Sequence, residues 1–209
     1  MIKVVLFDLD GTLIFVEKTI IKGILECFKM YNLKPPEEDE IRKTIGLSLM
    51  ESFTVLQFPD PEKGANLYRE FFLEQPEDIM MNPDSNELLD SLVKRGIRIG
   101  IVTNRRSAKR LIDKISFPVP FDIVIDLSLG IQPKPSSEGI LYAITQLKVS
   151  PQEVLFVGDT QYDIIAGKSA GVNVVGYTQG MHGGTLLKEL HPDWMVDSLN
   201  EIFLILDQS

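Results

Sequence analysis

The chain has 209 residues, 44% hydrophobic and 24% charged, so it can bury a real core and is not a disordered chain. Its net charge of −9 comes from 30 acidic and 21 basic residues, and no basic cluster stands out. That balance argues against a nucleic-acid partner, which would want a lysine and arginine surplus.

The first apolar run, Ile2–Phe7, is cut off by Asp8 and Asp10. It is too short for a secretory signal, and no apolar run, Ile202–Leu206 included, approaches a membrane span. A cytoplasmic protein with no membrane partner is expected. Lys3–Phe7 reads as a buried parallel strand. Arg98–Thr103, Asp122–Ile125 and Glu153–Val157 look alike, with Asn173–Val175 and Trp194–Val196 as shorter candidates. Helical patterns lie between them. Asp84–Arg95 opens with the capping-box spacing Asp84-x-x-Glu87 and stops at Gly96. Arg105–Ile115, Ser136–Leu147 and Thr160–Ala170 follow, and a short helix ends the chain. Strands alternating with helices predict an α/β, Rossmann-like parallel sheet with helices on both faces.

The stretch 17–81 breaks the alternation. Ile20, Ile21, Ile24, Leu25, Phe28 and Tyr31 keep helical spacing. Glu37–Ile45, Ser48–Leu56 and Lys63–Leu73 are further helix candidates, with prolines between them and no strand signal. The expected organisation is a core of residues 1–16 and 82–209 interrupted by an all-helical domain, 17–81. A junction of that kind forms a cleft suited to a ligand. The single cysteine, Cys27, falls within the helical pattern and reads as a buried, inert thiol.

Four strand ends carry polar groups. In Asp8-Leu-Asp10-Gly-Thr, residues two apart on an extended chain point the same way, so both carboxylates can face one site. They end a parallel strand, where open α/β sheets place ligands. Thr103-Asn104 offers a hydroxyl and an amide that suit phosphate oxygens, although the pair also fits an ordinary helix cap. Lys134 sits between Pro133 and Pro135, which stiffen the chain that aims it. Gly158-Asp159 ends another strand, and Thr160-x-x-Asp163 fits a capping box. Together these residues make a phosphate and metal site. Oxygen donors without a histidine or cysteine cluster favour a hard cation, most simply Mg²⁺. Gly180-Met-His-Gly-Gly184 lacks the spacing of a phosphate loop and reads as a turn-rich connector with a solvent-facing His182.

These motifs, in this order, resemble those of the haloacid dehalogenase-like superfamily, and the helical insertion resembles its C1 cap. The stretches Asp163–Gly171 and Pro192–Ser198 are similar to phosphoglycolate phosphatases, and Gly46 looks like part of the cap's substrate-facing loop. Site and resemblance together imply a Mg²⁺-dependent phosphatase acting on a small phosphorylated metabolite. Asp8 would be the nucleophile, forming an aspartyl-phosphate, and Asp10 the acid and base. Thr103, Asn104 and Lys134 would bind substrate. Asp8, Asp159 and the Asp10 carbonyl would hold the metal, with Asp163 bracing it. Pyrophosphate hydrolysis and sugar phosphomutation are the alternatives within the superfamily, and a non-catalytic binding protein lies outside it. Phe15-Val16 stands where those phosphatases usually carry Asp-Ser or Asp-Thr. That apolar entry weakens the case for phosphoglycolate itself, and Phe15 also fits a core residue packing the hinge.

Overall fold

Six short apolar runs form one parallel sheet in the computed structural model, which describes residues 1–71, 79–106 and 108–208. The strands are β1 (Val4–Phe7), β4 (Arg98–Val102), β5 (Ile123–Ile125), β6 (Val154–Gly158), β7 (Asn173–Tyr177) and β8 (Trp194–Val196). Their order is β5-β4-β1-β6-β7-β8, with β1 between β4 and β6. The chain leaves β1 toward one side of the sheet and later returns to the other. The crevice this leaves at the carboxyl ends of β1, β4 and β6 is the ligand position of an open α/β sheet.

Alternation along the strands builds two cores. Val5 and Phe7 point to one face with Ile99, Ile101, Leu155 and Val157. There they meet Leu88, Leu89 and Leu92 of α5 (Ser85–Lys94), Leu111 of α6 (Ala108–Ile115) and Ile202 and Ile205 of α10 (Ile202–Asp207). Val4, Leu6 and Phe156 point to the other, against Ile140 and Ala143 of α7 (Glu138–Leu147) and Ile164 of α8 (Gln161–Ala170). Every residue of β1 is therefore buried, as a sheet covered on both faces requires.

Between β1 and α5 the chain carries the helices α1 (Glu17–Met30), α2 (Glu38–Arg42), α3 (Leu49–Val55) and α4 (Pro61–Phe71). This helical unit has its own core of Ile24, Cys27, Phe28, Ile41, Phe53 and Phe58. The rings of Phe28, Phe53 and Phe58 pack with centroids 5.0, 5.1 and 6.4 Å apart. Cys27 is fully buried there and its thiol is pushed up to about 12, chiefly by burial, consistent with an inert role. The expected end of the last helix at Leu73 lies outside the described residues.

Four features differ from the sequence expectation. A two-stranded antiparallel ribbon, β2 (Ile14–Phe15) with β3 (Met80–Met81), joins the helical unit to the core. Two-residue strands are too short to leave a period in the sequence. Phe15 and Val16 pack on the main core there, so neither lines the cavity described below. The Asp84-x-x-Glu87 capping box does not form; the Asp84 carboxylate instead accepts from Ser198 Oγ and the Leu199 amide. The helix expected from Arg105 starts at Ala108, whose amide donates to Asp126 Oδ2 at 2.8 Å. A further helix, α9 (Gly183–Glu189), follows the connector.

His182 is not solvent-facing. Its Nδ1 accepts from the Gln161 amide at 3.2 Å, which assigns the ring hydrogen to Nε2, 3.0 Å from the Ile45 carbonyl. The Asn104 side-chain amide donates to the neighbouring Gly46 carbonyl at 2.8 Å. Two core side chains thus hold one loop of the helical unit. At the base of the unit, buried Asn82 donates to the Thr12 carbonyl and Tyr177 hydroxyl, fixing the chain's return.

Two outcomes follow. Phe53→Ala is expected to lose about 3–5 kcal/mol in urea unfolding followed by circular dichroism; a loss below about 1 kcal/mol would mean that the helical unit's core adds little. In His182→Ala, amide exchange at residues 44–48 is expected to quicken about tenfold while β1 stays protected. Unchanged exchange at 44–48 would show that the His182 contact does not hold the loop.

Candidate active site

Asp8 directly follows β1, its amide donating to the Val157 carbonyl at 2.8 Å. Leu9 turns into the core, so Asp8 and Asp10 project the other way, as the two-residue spacing predicts. Gly11 follows at φ +93°, a backbone state that strains any side chain. A Cβ on Gly11 would also lie 2.2 Å from Asp159 Oδ2, and one on Gly180 would lie 2.1 Å from Asp159 Cβ. Both glycines are what let backbone approach the Asp159 carboxylate.

Three acids gather at the strand ends. Asp8, Asp159 and Asp163 are all buried, and each offers an oxygen within 4.8 Å of the others. Asp159 accepts from Thr12 Oγ1 at 2.7 Å and from the Met181 amide at 2.8 Å. The connector around Met181 is thus part of the site. The Thr160–Asp163 capping box forms as its spacing predicts, with Asp163 Oδ2 accepting from the Thr160 amide and hydroxyl. The other oxygen, Asp163 Oδ1, takes the Lys134 ammonium at 2.5 Å.

Lys134 also reaches Asp8 Oδ1 at 2.5 Å, so one ammonium joins two acids. Asn104 fixes the backbone that carries it: Oδ1 accepts from the Lys134 amide and Nδ2 donates to the Lys134 carbonyl. With Nδ2 also on Gly46, the Asn104 amide group is committed to protein partners. These bonds hold the Lys134 backbone and the Gly46 loop. Thr103 is buried beside it, its hydroxyl oxygen accepting from the Arg105 amide at 3.2 Å. That bond leaves the hydroxyl hydrogen for an acceptor in the cavity.

Asp10 stands apart from the three-acid group. Its Oδ2 pairs with Arg105 Nε at 2.5 Å, while Oδ1 is buried and meets no hydrogen-bond partner among the described residues. Arg105 escaped the sequence reading because it was taken as the first residue of a helix. Thr12 was visible in the motif, but only the fold shows that it binds Asp159.

The charges do not balance. Four carboxylates, Asp8, Asp10, Asp159 and Asp163, face two cations, Lys134 and Arg105. Burial pushes the Asp8 carboxyl well above its usual range; Lys134 opposes this, and the three neighbouring acids add to it. Burial and then Asp163 push Asp159 up to about 7. Burial pulls the Lys134 ammonium down, but Asp163 and Asp8 outweigh it and hold the ammonium above its ordinary value. A cluster of this kind can hold a divalent cation, which would supply the missing positive charge.

A cavity of about 70 Å³ opens over Asp8, Asp10 and Lys134. That is several times the room one water needs. The helical unit contributes Ile20, Ile45, Leu47, Leu49, Tyr68 and Arg69 to its walls. No helix among the described residues is long and apolar enough to cross a membrane.

The haloacid dehalogenase-like hydrolase family matches residues 5–177 of the chain. A putative pyrophosphatase PpaX of Clostridium perfringens is 38% identical over 212 aligned residues, covering 100% of this chain and 99% of the relative. The pyrophosphatase PpaX of Bacillus mycoides is 30% identical, covering 99% and 98%. Among solved structures, a putative haloacid dehalogenase-like hydrolase from Bacteroides fragilis superposes with a TM-score of 0.87 at 28% identity, covering 97% of this chain and 100% of that one. The chain belongs to the haloacid dehalogenase-like hydrolase family and is a phosphatase-type enzyme of it.

Proposed function

We propose that the protein hydrolyses a small phosphorylated substrate in two steps through Asp8, with Mg²⁺ as its metal and inorganic pyrophosphate as its substrate. The observation that carries this reading is the Lys134 ammonium bound to Asp8 Oδ1 at the floor of the cavity. It fixes one carboxylate oxygen and leaves Oδ2 to attack phosphorus. The substrate choice rests on relatives named pyrophosphatases that align over nearly their whole length. It reverses the order expected from sequence, where a phosphoglycolate-like monoester came first.

The donor set fits Mg²⁺. Asp8, Asp159 and Asp163 offer only oxygen, in a site with two uncompensated negative charges and no histidine or cysteine among those donors. Asp8 and Asp159, with the Asp10 carbonyl, would hold the ion, and Asp163 would brace it. The bound ion would neutralise charge between the Asp8 carboxylate and the phosphoryl oxygens.

The chain's own residues do the rest. Asp8 Oδ2 bonds to phosphorus as the bond to the leaving oxygen breaks. Asp10 Oδ1, buried and without a partner among the described residues, gives its proton to that oxygen. Arg105 holds the other oxygen of Asp10 and so aims the acid. Asp10 then takes a proton from water, whose oxygen bonds to phosphorus as the bond to Asp8 breaks, releasing phosphate. Lys134 and the Thr103 hydroxyl stabilise the phosphoryl oxygens, a largely electrostatic and positional task. The helical unit, 17–81, acts as a cap that shields the cavity from water.

Phosphate release from pyrophosphate should require Mg²⁺ and stop with a chelator. Asp8→Asn should abolish it, and Asp10→Asn should slow it by about 10²–10⁴-fold. Folding is checked by circular dichroism. Substantial release by Asp8→Asn would contradict the nucleophile. Transfer to a sugar instead of water would favour a mutase, and release from phosphoglycolate but not pyrophosphate would restore the monoester reading.

A further inference from the structure

The cavity carries cationic side chains beyond the two that pair with its acids. Four cationic side chains line it: Arg69, Arg105, Arg106 and Lys134. Lys134 is bound to Asp8 and Asp163, and Arg105 to Asp10. Among the described residues, neither Arg69 nor Arg106 forms an ion pair with a carboxylate. Arg69 comes from α4 of the helical unit, and Arg106 from the loop after β4 of the core. The two guanidiniums therefore approach the cavity from its two sides.

We propose that Arg69 and Arg106 form a second anion subsite that grips the leaving half of the substrate, restricting it to compounds whose leaving group carries its own phosphoryl or carboxylate. This inference rests on the reading of Asp8 as the phosphoryl site and goes beyond it to the substrate's other end.

Three observations support it. Arg69 is oriented: its Nη1 donates to Asn66 Oδ1 at 2.7 Å, one turn earlier on α4. Its Nε is buried and meets no acceptor among the described residues. A buried donor left open is costly unless something binds it, and a planar guanidinium suits a phosphoryl or carboxylate group. Finally, like charges meet here. Burial lowers the Arg69 guanidinium from its ordinary value, the nearby charge of Arg106 adds to this, and Glu62 opposes both. An anion between the two arginines would relieve both effects and tie the helical unit to the core.

The test compares kcat/KM for pyrophosphate, phosphoglycolate and a monoester with an uncharged end, ethyl phosphate. The proteins are wild type, Arg69→Gln, Arg106→Gln and the two lysine variants, each checked by circular dichroism. Each glutamine variant should lower kcat/KM for the doubly anionic substrates by about 10- to 100-fold relative to ethyl phosphate, mostly through KM. Lysine should restore part of the loss. The pyrophosphate and phosphoglycolate arms tell whether the subsite reads a phosphoryl or a carboxylate. Equal losses on all three substrates, or none, would overturn the subsite while leaving Asp8 chemistry intact. If wild type releases no more phosphate than Asp8→Asn from any substrate, the hydrolytic reading fails separately. Calorimetry with methylenediphosphonate and Mg²⁺ then decides the subsite: weaker binding by the glutamine variants supports it, and equal binding overturns it.

Discussion

The site depends on one buried ammonium. Lys134 lies between Asp8 and Asp163 with all three side chains out of water. Removing a charge from water costs several kcal/mol, and the mutual attraction of the group repays it only with good geometry and further hydrogen bonds. Those bonds are present. The capping box at Thr160 occupies the second oxygen of Asp163, and Asn104 clamps the Lys134 backbone. The close approaches at Gly11, Gly158 and Gly180 are possible because glycine lacks the Cβ that would collide there with an aspartate. The sheet supplies the frame, because β1 lies between β4 and β6 and brings three strand ends together.

Much of this was legible in the sequence. Buried parallel strands are continuous apolar runs, and all six were visible as such. Asp8, Asp10 and Asp159 were visible because each sits at or just past a run's end, where side chains have a common destination, and Lys134 because two prolines flank it. The Thr160 capping box was legible because it is local. Features that depend on partners far along the chain were not. Asp84 had the spacing of a cap, but Ser198 offered it a better partner. His182 sat in a glycine-rich stretch that hid its contact with Ile45. Arg69 and Arg105 looked like ordinary helix residues, and only the meeting of the two units gives them a shared cavity. The ribbon of Ile14–Phe15 with Met80–Met81 was too short to show a period.

The exchange at Phe15-Val16 illustrates how an expectation changes once packing is known. Two apolar residues at the entry to the insertion suggested an apolar approach for the substrate. Both pack on the main core instead. The apolar wall of the cavity comes from Ile20, Ile45, Leu47 and Leu49. Ile45, Leu47 and Leu49 sit on or beside the loop that Asn104 and His182 hold to the core, while Ile20 comes from α1. The same contacts that shape the wall therefore fix how far the helical unit stands from Asp8.

The central claim is that Asp8 carries the phosphoryl group during turnover. The most direct measurement is rapid acid quench of the enzyme with pyrophosphate and Mg²⁺, followed by peptide mass spectrometry. A phosphoryl-sized mass increase should appear on the peptide containing Asp8, form at least as fast as turnover, and be absent in Asp8→Asn. Phosphate release at the full rate with no protein-bound phosphoryl group, or with that group on another residue, would contradict it.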